Sequence, residues 1–386
     1  MNLDPGQLNA GPQYFWTVLD DSESWLQVEQ ELRDAGFKLP LFQRWAWIEC
    51  CNPPSSKLLV VRDAAYVLIG VAAVSMHPSR ALPGYKLLRI HRFGDAMPKT
   101  LAAPMAAALR SYASAESRIL RMSVELFSRS TLADIGSTFS NHCFTREPKP
   151  RSYHNTLLID LRSDVNDIFA GFHKTARKNL SPTALAKSYS IPLTQPAFAA
   201  RIAELHAEAM SRTGGSHNSF DARAAIQLSN LYPHLSRVAG LFQAGADPTP
   251  ANLIGFAWGC MHGDCAQYYS AGTARLRDSN IAISYPLLWE LILWARLEGA
   301  VDFDLGGITP SDPTHPLHGI STFKRFFSRS MQEVGDEWVF EPHPIRARVA
   351  DLIGSFAQRF RKAKAKPIRQ PKSTVGSRPE ALSRAI

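Results

Sequence analysis

The sequence predicts a mixed α/β (α+β) fold built twice along the chain, and three observations carry that prediction. An eleven-residue stretch at 67–77 (VLIGVAAVSMH) returns at 252–262 (NLIGFAWGCMH), keeping Leu, Ile, Gly, Ala, Met and His at a constant offset of 185. Each copy follows another strand-like run, 57–62 (KLLVVR) and 237–243 (RVAGLFQ), and each of those follows an apolar helical stretch, 42–51 and 222–232. The order helix, strand, strand thus occurs twice, which a chance likeness between two hydrophobic strands would not preserve. Finally, a long apolar helical pattern at 281–298 leads into the alternating run 301–305 (VDFDL), the signature of a helix crossing back to a sheet.

The second copy reads most clearly. Strand 156–161 is followed by a helix over 165–178, a short strand near Ile191, and amphipathic helices over 197–212 and 222–232. Strands at 238–243, 253–261 and 265–271 form an antiparallel meander. After the 281–298 helix and the 301–305 strand come a Pro/His-rich loop, a short helix through 323–327 and a last strand at 332–340.

The stretch VDFDLGGITP at 301–310 poses a chemical question. Strand side chains alternate, so Val301, Phe303 and Leu305 share a core face while Asp302 and Asp304 share the other. Burying an unpaired carboxylate costs several kcal/mol or forces it to stay protonated, so the second face needs partners or solvent. Gly306 and Gly307 admit positive φ and the close approach of a chain or ligand. A strand end with solvated aspartates and a turn fits these ten residues as well as a site does.

Composition bounds the rest. At 386 residues, 45% hydrophobic and 20% charged, the chain has room for two domains. It holds no apolar run long enough to span a bilayer, and its N-terminus lacks the basic-then-apolar order of a signal peptide, so a cytoplasmic protein is expected. Five cysteines without C-x-x-C spacing suit reduced packing residues better than a disulfide framework or a zinc site. The net charge of +9 is localised: from Arg346 onward stand eleven Lys/Arg against Asp351 and Glu380, leaving residues 1–345 with 32 groups of each sign. The body is therefore not a broad polyanion-binding surface.

Several motifs occur in a characteristic order: 173–179 (HKTARKN), Glu204-Leu205-His206 running to Arg212-Thr213-Gly214, 267–272 (QYYSAG), Leu288-Trp289-Glu290, Trp294-Ala295, 303–307 (FDLGG) and Phe323-Lys324. Taken together they resemble the Fem-type division of the GNAT acyltransferase superfamily. The resemblance is good over 152–340 and weaker over 14–150, where Leu41-Phe42-Gln43 with Trp45 and Trp47 resembles the family's first-domain entry helix. It implies two GNAT-like acyl-N-acyltransferase domains, each a mixed, mostly antiparallel sheet flanked by helices, in agreement with the repeat. The family includes peptidoglycan aminoacyltransferases that use aminoacyl-tRNA and related proteins assigned acyl thioesters. Two features depart from it: the long charged helical hairpin of some aminoacyl-tRNA users is absent, and so is the Arg/Gln-x-x-Gly-x-Gly/Ala pyrophosphate loop between Tyr269 and Ile281.

The expected organisation is a flexible N-terminus (1–13), a first GNAT-like domain (14–150), a second (151–345) carrying the active site, a basic amphipathic helix (346–362) and a disordered basic tail (363–386). The expected activity is transfer of an acyl or aminoacyl group from a thioester or ester donor to an amine on a cell-envelope or secondary-metabolite intermediate. No permanently bound cofactor or metal is expected; acyl-CoA, an acyl-carrier thioester or aminoacyl-tRNA would serve as co-substrate. Partners would be a small-molecule or lipid-linked amine, an acyl-carrier protein or tRNA bringing the donor, and an anionic membrane surface met by the C-terminal helix. A catalytically silent binding protein of the same fold and a nucleic-acid-binding protein acting through its tail are the alternatives.

Such a transfer needs a polarised carbonyl, a deprotonated amine and a stabilised leaving group, with no covalent nucleophile. Consistently, the sequence has no Gly-x-Ser-x-Gly elbow, no His-Glu-x-x-His and no Walker loop. In a GNAT-like sheet the strand at 266–271 splays from the strand at 301–305 and admits the donor. Asp304 borders that gap and is either a proton acceptor or amine ligand, or a structural aspartate bonded to loop amides. The family's lysine matching Lys324 contacts phosphate or developing negative charge, a role suited to a flexible ammonium. Of Tyr268 and Tyr269, at most one lines the gap, with Tyr268 chosen as catalytic and the other assigned to packing or substrate contact. Arg177, Lys178, Arg212, Gly306, Gly307 and Arg325 complete the candidate substrate-binding set, although a basic helix end at Arg177-Lys178 is also favoured by the helix dipole alone. His206 reads as a packed or surface histidine, and His315 with His318 lacks a third metal ligand nearby.

Overall fold

The computed structural model describes residues 6–7, 14–51, 55–94, 98–213, 220–276, 281–309 and 314–364. The first part of the chain provides strands β1 (Gly6–Gln7), β2 (Tyr14–Leu19), β3 (Ser56–Asp63), β4 (Leu68–Pro78), β5 (Lys86–Phe93), β6 (Ile119–Phe127) and β7 (Thr145–Arg146). Helices α1 (Ser22–Asp34), α2 (Trp45–Cys51), α3 (Ala102–Ala115) and α4 (Leu132–Asn141) accompany them. The second part begins with β8 (Asn155–Asp160), α5 (Val165–Gly171), α6 (Lys174–Asn179), α7 (Pro182–Leu185), β9 (Ser188–Pro192), α8 (Ala199–Thr213) and α9 (Ala222–Leu231). It continues with β10 (Ser236–Gln243), β11 (Gly255–His262), β12 (Cys265–Thr273), α10 (Ser284–Leu297), β13 (Asp302–Gly307), α11 (His318–Arg325) and β14 (Met331–Glu333), and the chain closes with β15 (Gly335–Phe340) and α12 (Pro344–Lys364).

These elements form two sheets, ordered β1-β2-β3-β4-β5-β6-β15-β7 and β14-β8-β13-β12-β11-β10-β9. The repeat seen in the sequence falls on β4 and β11, which occupy equivalent places. Each lies antiparallel between its predecessor and a strand, β5 or β12, that then runs parallel to β6 or β13 through α3 or α10. The continuous apolar run of β3 is explained by cover on both faces. Leu59 and Val61 join the core with α3 and α4, whereas Leu58 and Val60 meet Trp25, Val28 and Leu32 of α1. The second sheet has its own core, filled by α8, α9 and α10.

Three expectations are corrected. The helix expected over 165–178 breaks at Phe172-His173, where the His173 N–H donates to the Phe326 carbonyl (2.8 Å) and its Nδ1 caps α6 by accepting from the Thr175 N–H (3.2 Å). The single strand expected at 332–340 is two strands in different sheets: β14 extends the second, while β15 inserts between β6 and β7 of the first. The chain can cross there because a Cβ at Gly335 would lie 2.3 Å from the Tyr153 carbonyl, so only glycine fits. In return β8, from the start of the second part, closes the second sheet between β13 and β14. Strand exchange thus replaces the clean boundary expected at 150/151. Thirdly, Gly6–Gln7 of the N-terminal segment expected to be flexible pairs with Phe15 and Trp16. The rest of that segment, Gly214, and residues 365–386 of the tail expected to be disordered lie outside the described residues, as do 277–280 of the segment searched for a pyrophosphate loop.

Packing of α8 on β12 offers a test of the second domain. A Cβ at Gly272 would fall 2.6 Å from the Leu205 carbonyl group and 2.8 Å from the His206 nitrogen, both backbone and unable to rotate away. Gly272→Ala is therefore expected to lower stability by about 3 kcal/mol in urea denaturation, the upper end for an overpacked core. An unchanged midpoint would contradict this packing.

Candidate functional site

The parallel pair at the centre of the second sheet is short. β12 and β13 pair only at Cys265↔Asp302, Ala266↔Phe303 and Gln267↔Asp304, although β12 continues to Thr273 and β13 to Gly307. At the same point the pairing of β12 with β11 slips at Trp258/Gly259, so that Tyr269 becomes the extra residue of a bulge. The equivalent pair β5–β6 in the first sheet is paired along the length of β5, from Lys86↔Ile119 to Phe93↔Leu126, with register shifts at Lys86/Leu87 and Ile90/Phe93. Of the two parallel pairs among the described residues, that of the second sheet is the one whose pairing stops partway along both strands.

Lys324 of α11 closes one side of this gap. Its Nζ donates to the Gly307 carbonyl at 2.7 Å, and an added Cβ at Gly306 would meet that Nζ at 3.4 Å and the Tyr268 carbonyl at 3.2 Å. Gly306 has φ of 74°, where glycine is favoured. The ammonium thus sits where the strands part, 7% exposed, and burial lowers its pKa to about 8 against the pull of Asp304 in the opposite direction. It remains mostly charged at neutral pH, and its hydrogen bond to Gly307 uses one of its three N–H groups among the described residues.

Asp304 occupies a different chemical environment from the proton acceptor weighed in the sequence. Its carboxylate is completely buried and accepts from the Tyr153 hydroxyl (2.6 Å), the Thr156 hydroxyl (2.5 Å) and the Gly306 N–H (2.7 Å). Arg92, from the first sheet, lies 3.7 Å away, with its guanidinium over the Phe127 ring and its Nη1 donating to Gln267 Oε1 (3.2 Å). The Tyr153 hydroxyl in turn accepts from Gln267 Nε2 at 2.9 Å. Asp302 is matched similarly, receiving Arg129 Nη1 at 2.5 Å while the other arm of Arg129 pairs with Asp264. The two carboxylates on one face of VDFDL therefore anchor the second domain to arginines of the first. Burial and the Asp304 charge hold the Tyr153 phenol well above its ordinary pKa, so it serves as a neutral donor. Gly307 carries no side chain because Tyr153 Cβ would lie 2.6 Å from its Cβ.

The tyrosine pair is also reassigned. Tyr268 packs its ring against the second core, and burial raises its pKa; its backbone carbonyl is the part that reaches the gap. Tyr269, displaced by the bulge, is 40% exposed and meets Trp258, Phe42 and Trp47 edge-on at 4.8, 5.7 and 6.3 Å. Tyr269, Phe42 and Trp47 line a cavity of about 180 Å³ between the domains, together with Ser75, His77 and His91. His91 Nδ1 lies 2.9 Å from Glu125 Oε2, and burial beside Arg89 lowers the pKa of His77.

The remaining candidates do not converge on the gap. Arg177 donates to the Ala170 and Phe172 carbonyls (2.6 and 2.9 Å), capping α5, and Lys178 is exposed. Arg212 donates to the Thr273 carbonyl at 2.9 Å, at the far end of β12. Arg325 donates to the Thr309 carbonyl at 3.2 Å and so braces the loop after β13. His206 stacks on Phe220. Arg92, Tyr153 and Thr156 were not singled out in the sequence, and Gln267 only as the first residue of the QYYSAG motif, without a role; Arg92, at φ of 47°, even takes the left-handed conformation without being glycine. All five cysteines are free thiols, and among the described residues no group of three His, Cys, Asp or Glu is placed to hold a metal. No helix among the described residues is long and apolar enough to cross a membrane.

Two mixed, mostly antiparallel sheets with exchanged closing strands and one splayed parallel pair define a tandem GNAT-like fold of the Fem type. Among solved structures, the chain is similar to FemX, at a TM-score of 0.68 and 13% identity, covering 86% of this chain and 99% of that one. It is also similar to L-PGS from Bacillus licheniformis, at a TM-score of 0.50 and 11% identity, covering 86% and 97%. No protein-family model and no curated protein matches the sequence.

Proposed function

We propose that this protein is an acyltransferase that moves an acyl or aminoacyl group from a thioester or ester donor to an amine. The observation that carries this reading is the gap between β12 and β13, with the buried Lys324 ammonium at its edge. A donor entering there would place its carbonyl against backbone N–H groups no longer used by the sheet, and Lys324 would stabilise a phosphate or the negative charge that develops on transfer. The amine nitrogen attacks the carbonyl carbon to form the amide, the C–O or C–S bond breaks, and the proton lost by the amine ends on the departing oxygen or sulfur, which leaves as the alcohol or thiol. The Tyr269-Trp47-Phe42 cavity is the acceptor side of this reading, and His91, hydrogen-bonded to Glu125, lines it. The likeness to FemX and the absence of the pyrophosphate-loop motif support an aminoacyl-tRNA or a carrier-bound thioester over free acyl-CoA. A cell-envelope or secondary-metabolite amine is the proposed acceptor.

Native mass spectrometry of the protein with each donor class in turn, followed by transfer to a panel of amines, tests the proposal. Retention of one donor class, weakened in Lys324→Met, is expected. Retention of none, or retention indifferent to Lys324, would overturn it.

A further inference from the structure

The C-terminal helix is docked by the side that an ordinary amphipathic helix leaves in solvent. The face of α12 turned toward the first sheet carries small residues: Ala347 is buried, and half-buried Ala350 and Gly354 border, with Leu87, Leu120 and Ala81, an open cavity of about 740 Å³ between helix and sheet. Polar contacts hold it there. Arg121 bridges Asp351 (2.8 Å) and Glu341 (2.5 Å), and Arg346 donates to the Ser117 carbonyl (3.0 Å). The large apolar residues point the other way: Ile345, Leu352 and Phe356 are 80%, 61% and 58% exposed, and Val349 and Ile353 are exposed beside them. At helical period these five form one stripe, roughly opposite the docked face. A surface helix ordinarily buries such a stripe against the core, so a second partner is implied.

We propose that this stripe is a docking surface for an anionic lipid bilayer. The inference is independent of the acyl-transfer reading. Charge selects the occupant: the entire +9 excess of the chain lies from Arg346 onward. Arg348 is exposed at the edge of the stripe, and Arg359, Arg361 and Lys362 follow it in the sequence. A second copy of the chain would bring a like-charged face against this one, and a polynucleotide would satisfy the cations while leaving five apolar side chains wet. A bilayer with acidic headgroups takes both, the apolar stripe entering the headgroup–acyl boundary and the flanking arginines meeting phosphates. The contacts of Ala347, Asp351 and Arg346 with the first sheet stay in place during binding, because the two faces are different.

Co-sedimentation of the full-length protein with vesicles of mixed phosphatidylglycerol and phosphatidylcholine, and with phosphatidylcholine alone, tests this. Binding to the mixed vesicles only is expected, weakened by salt. The triple substitution Val349→Ser, Leu352→Ser, Phe356→Ser should weaken it at least tenfold without lowering the melting temperature, since these side chains touch solvent. Arg348→Ala should weaken it about fivefold. No binding to mixed vesicles at low salt would overturn the proposal. So would binding unchanged in the triple variant, which would assign it to the basic tail alone, or a wild-type dimer in analytical ultracentrifugation that the triple variant converts to monomer.

Discussion

Replacing Lys324 with methionine is expected to cut the rate of acyl transfer between about tenfold and a thousandfold, the range for removing one preorganised donor to a developing anion. The melting temperature should stay the same or rise. A buried ammonium titrating near 8 instead of 10.5 is disfavoured in the fold, by on the order of 3 kcal/mol at neutral pH, and a neutral side chain of similar length removes that penalty. The two effects have distinct pH signatures. Because the folded pKa lies below the unfolded one, the unfolded chain holds more protons between about pH 8 and 10.5, so wild-type stability should rise across that window and the variant should lack the rise. If the charged form is the active one, the wild-type rate falls as pH passes about 8. Steady-state kinetics against pH, with thermal unfolding of both proteins, reads all of this. Equal turnover in the variant, or a loss explained entirely by unfolding, would remove Lys324 from the site.

Asp304→Ala is expected to act on stability first, by about 3 to 5 kcal/mol, because it leaves Arg92 and three other donors buried around a missing carboxylate. Asp304→Asn keeps the shape but points an amide N–H₂ among donors, and a smaller loss is expected. Turnover by the fraction still folded, measured at low temperature, should remain within a few fold of wild type for the asparagine variant. An unchanged melting temperature with abolished turnover would instead return Asp304 to the chemistry of proton transfer.

Lys324 and Asp304 show how far the sequence could be read. Lys324 was legible through the family resemblance, which matched Phe323-Lys324 after FDLGG, and in the fold its Nζ donates to the Gly307 carbonyl at the end of β13. Asp304 was equally visible, yet its role depends on residues that no spacing connects to it: Arg92 in the first sheet, Tyr153 between the sheets and Gln267 on the neighbouring strand. For the same reason the choice between Tyr268 and Tyr269 went the other way. Alternation along a regular strand says that the two rings diverge, but a bulge opposite Trp258/Gly259 decides which one meets the cavity.

What the sequence by itself determined is what neighbours within a turn or a strand encode: the duplicated helix-strand-strand order, the position of β4 and β11, the alternating VDFDL strand, and the concentration of charge after Arg346. What only the tertiary structure decided is partnership across the chain. Nothing in residues 332–340 states that the run is divided between the two sheets; the crossing follows from the fit of Gly335 against the Tyr153 backbone and from β8 taking the place beside β13. The apolar stripe of α12 was plain from its period, but whether it faced the body or solvent depended on the ion pairs of Arg121, the Arg346 hydrogen bond to Ser117 and the burial of Ala347 on the opposite face. Periodicity records which residues share a face, whereas the partner of that face is set by packing and charge complementarity between segments far apart in the chain.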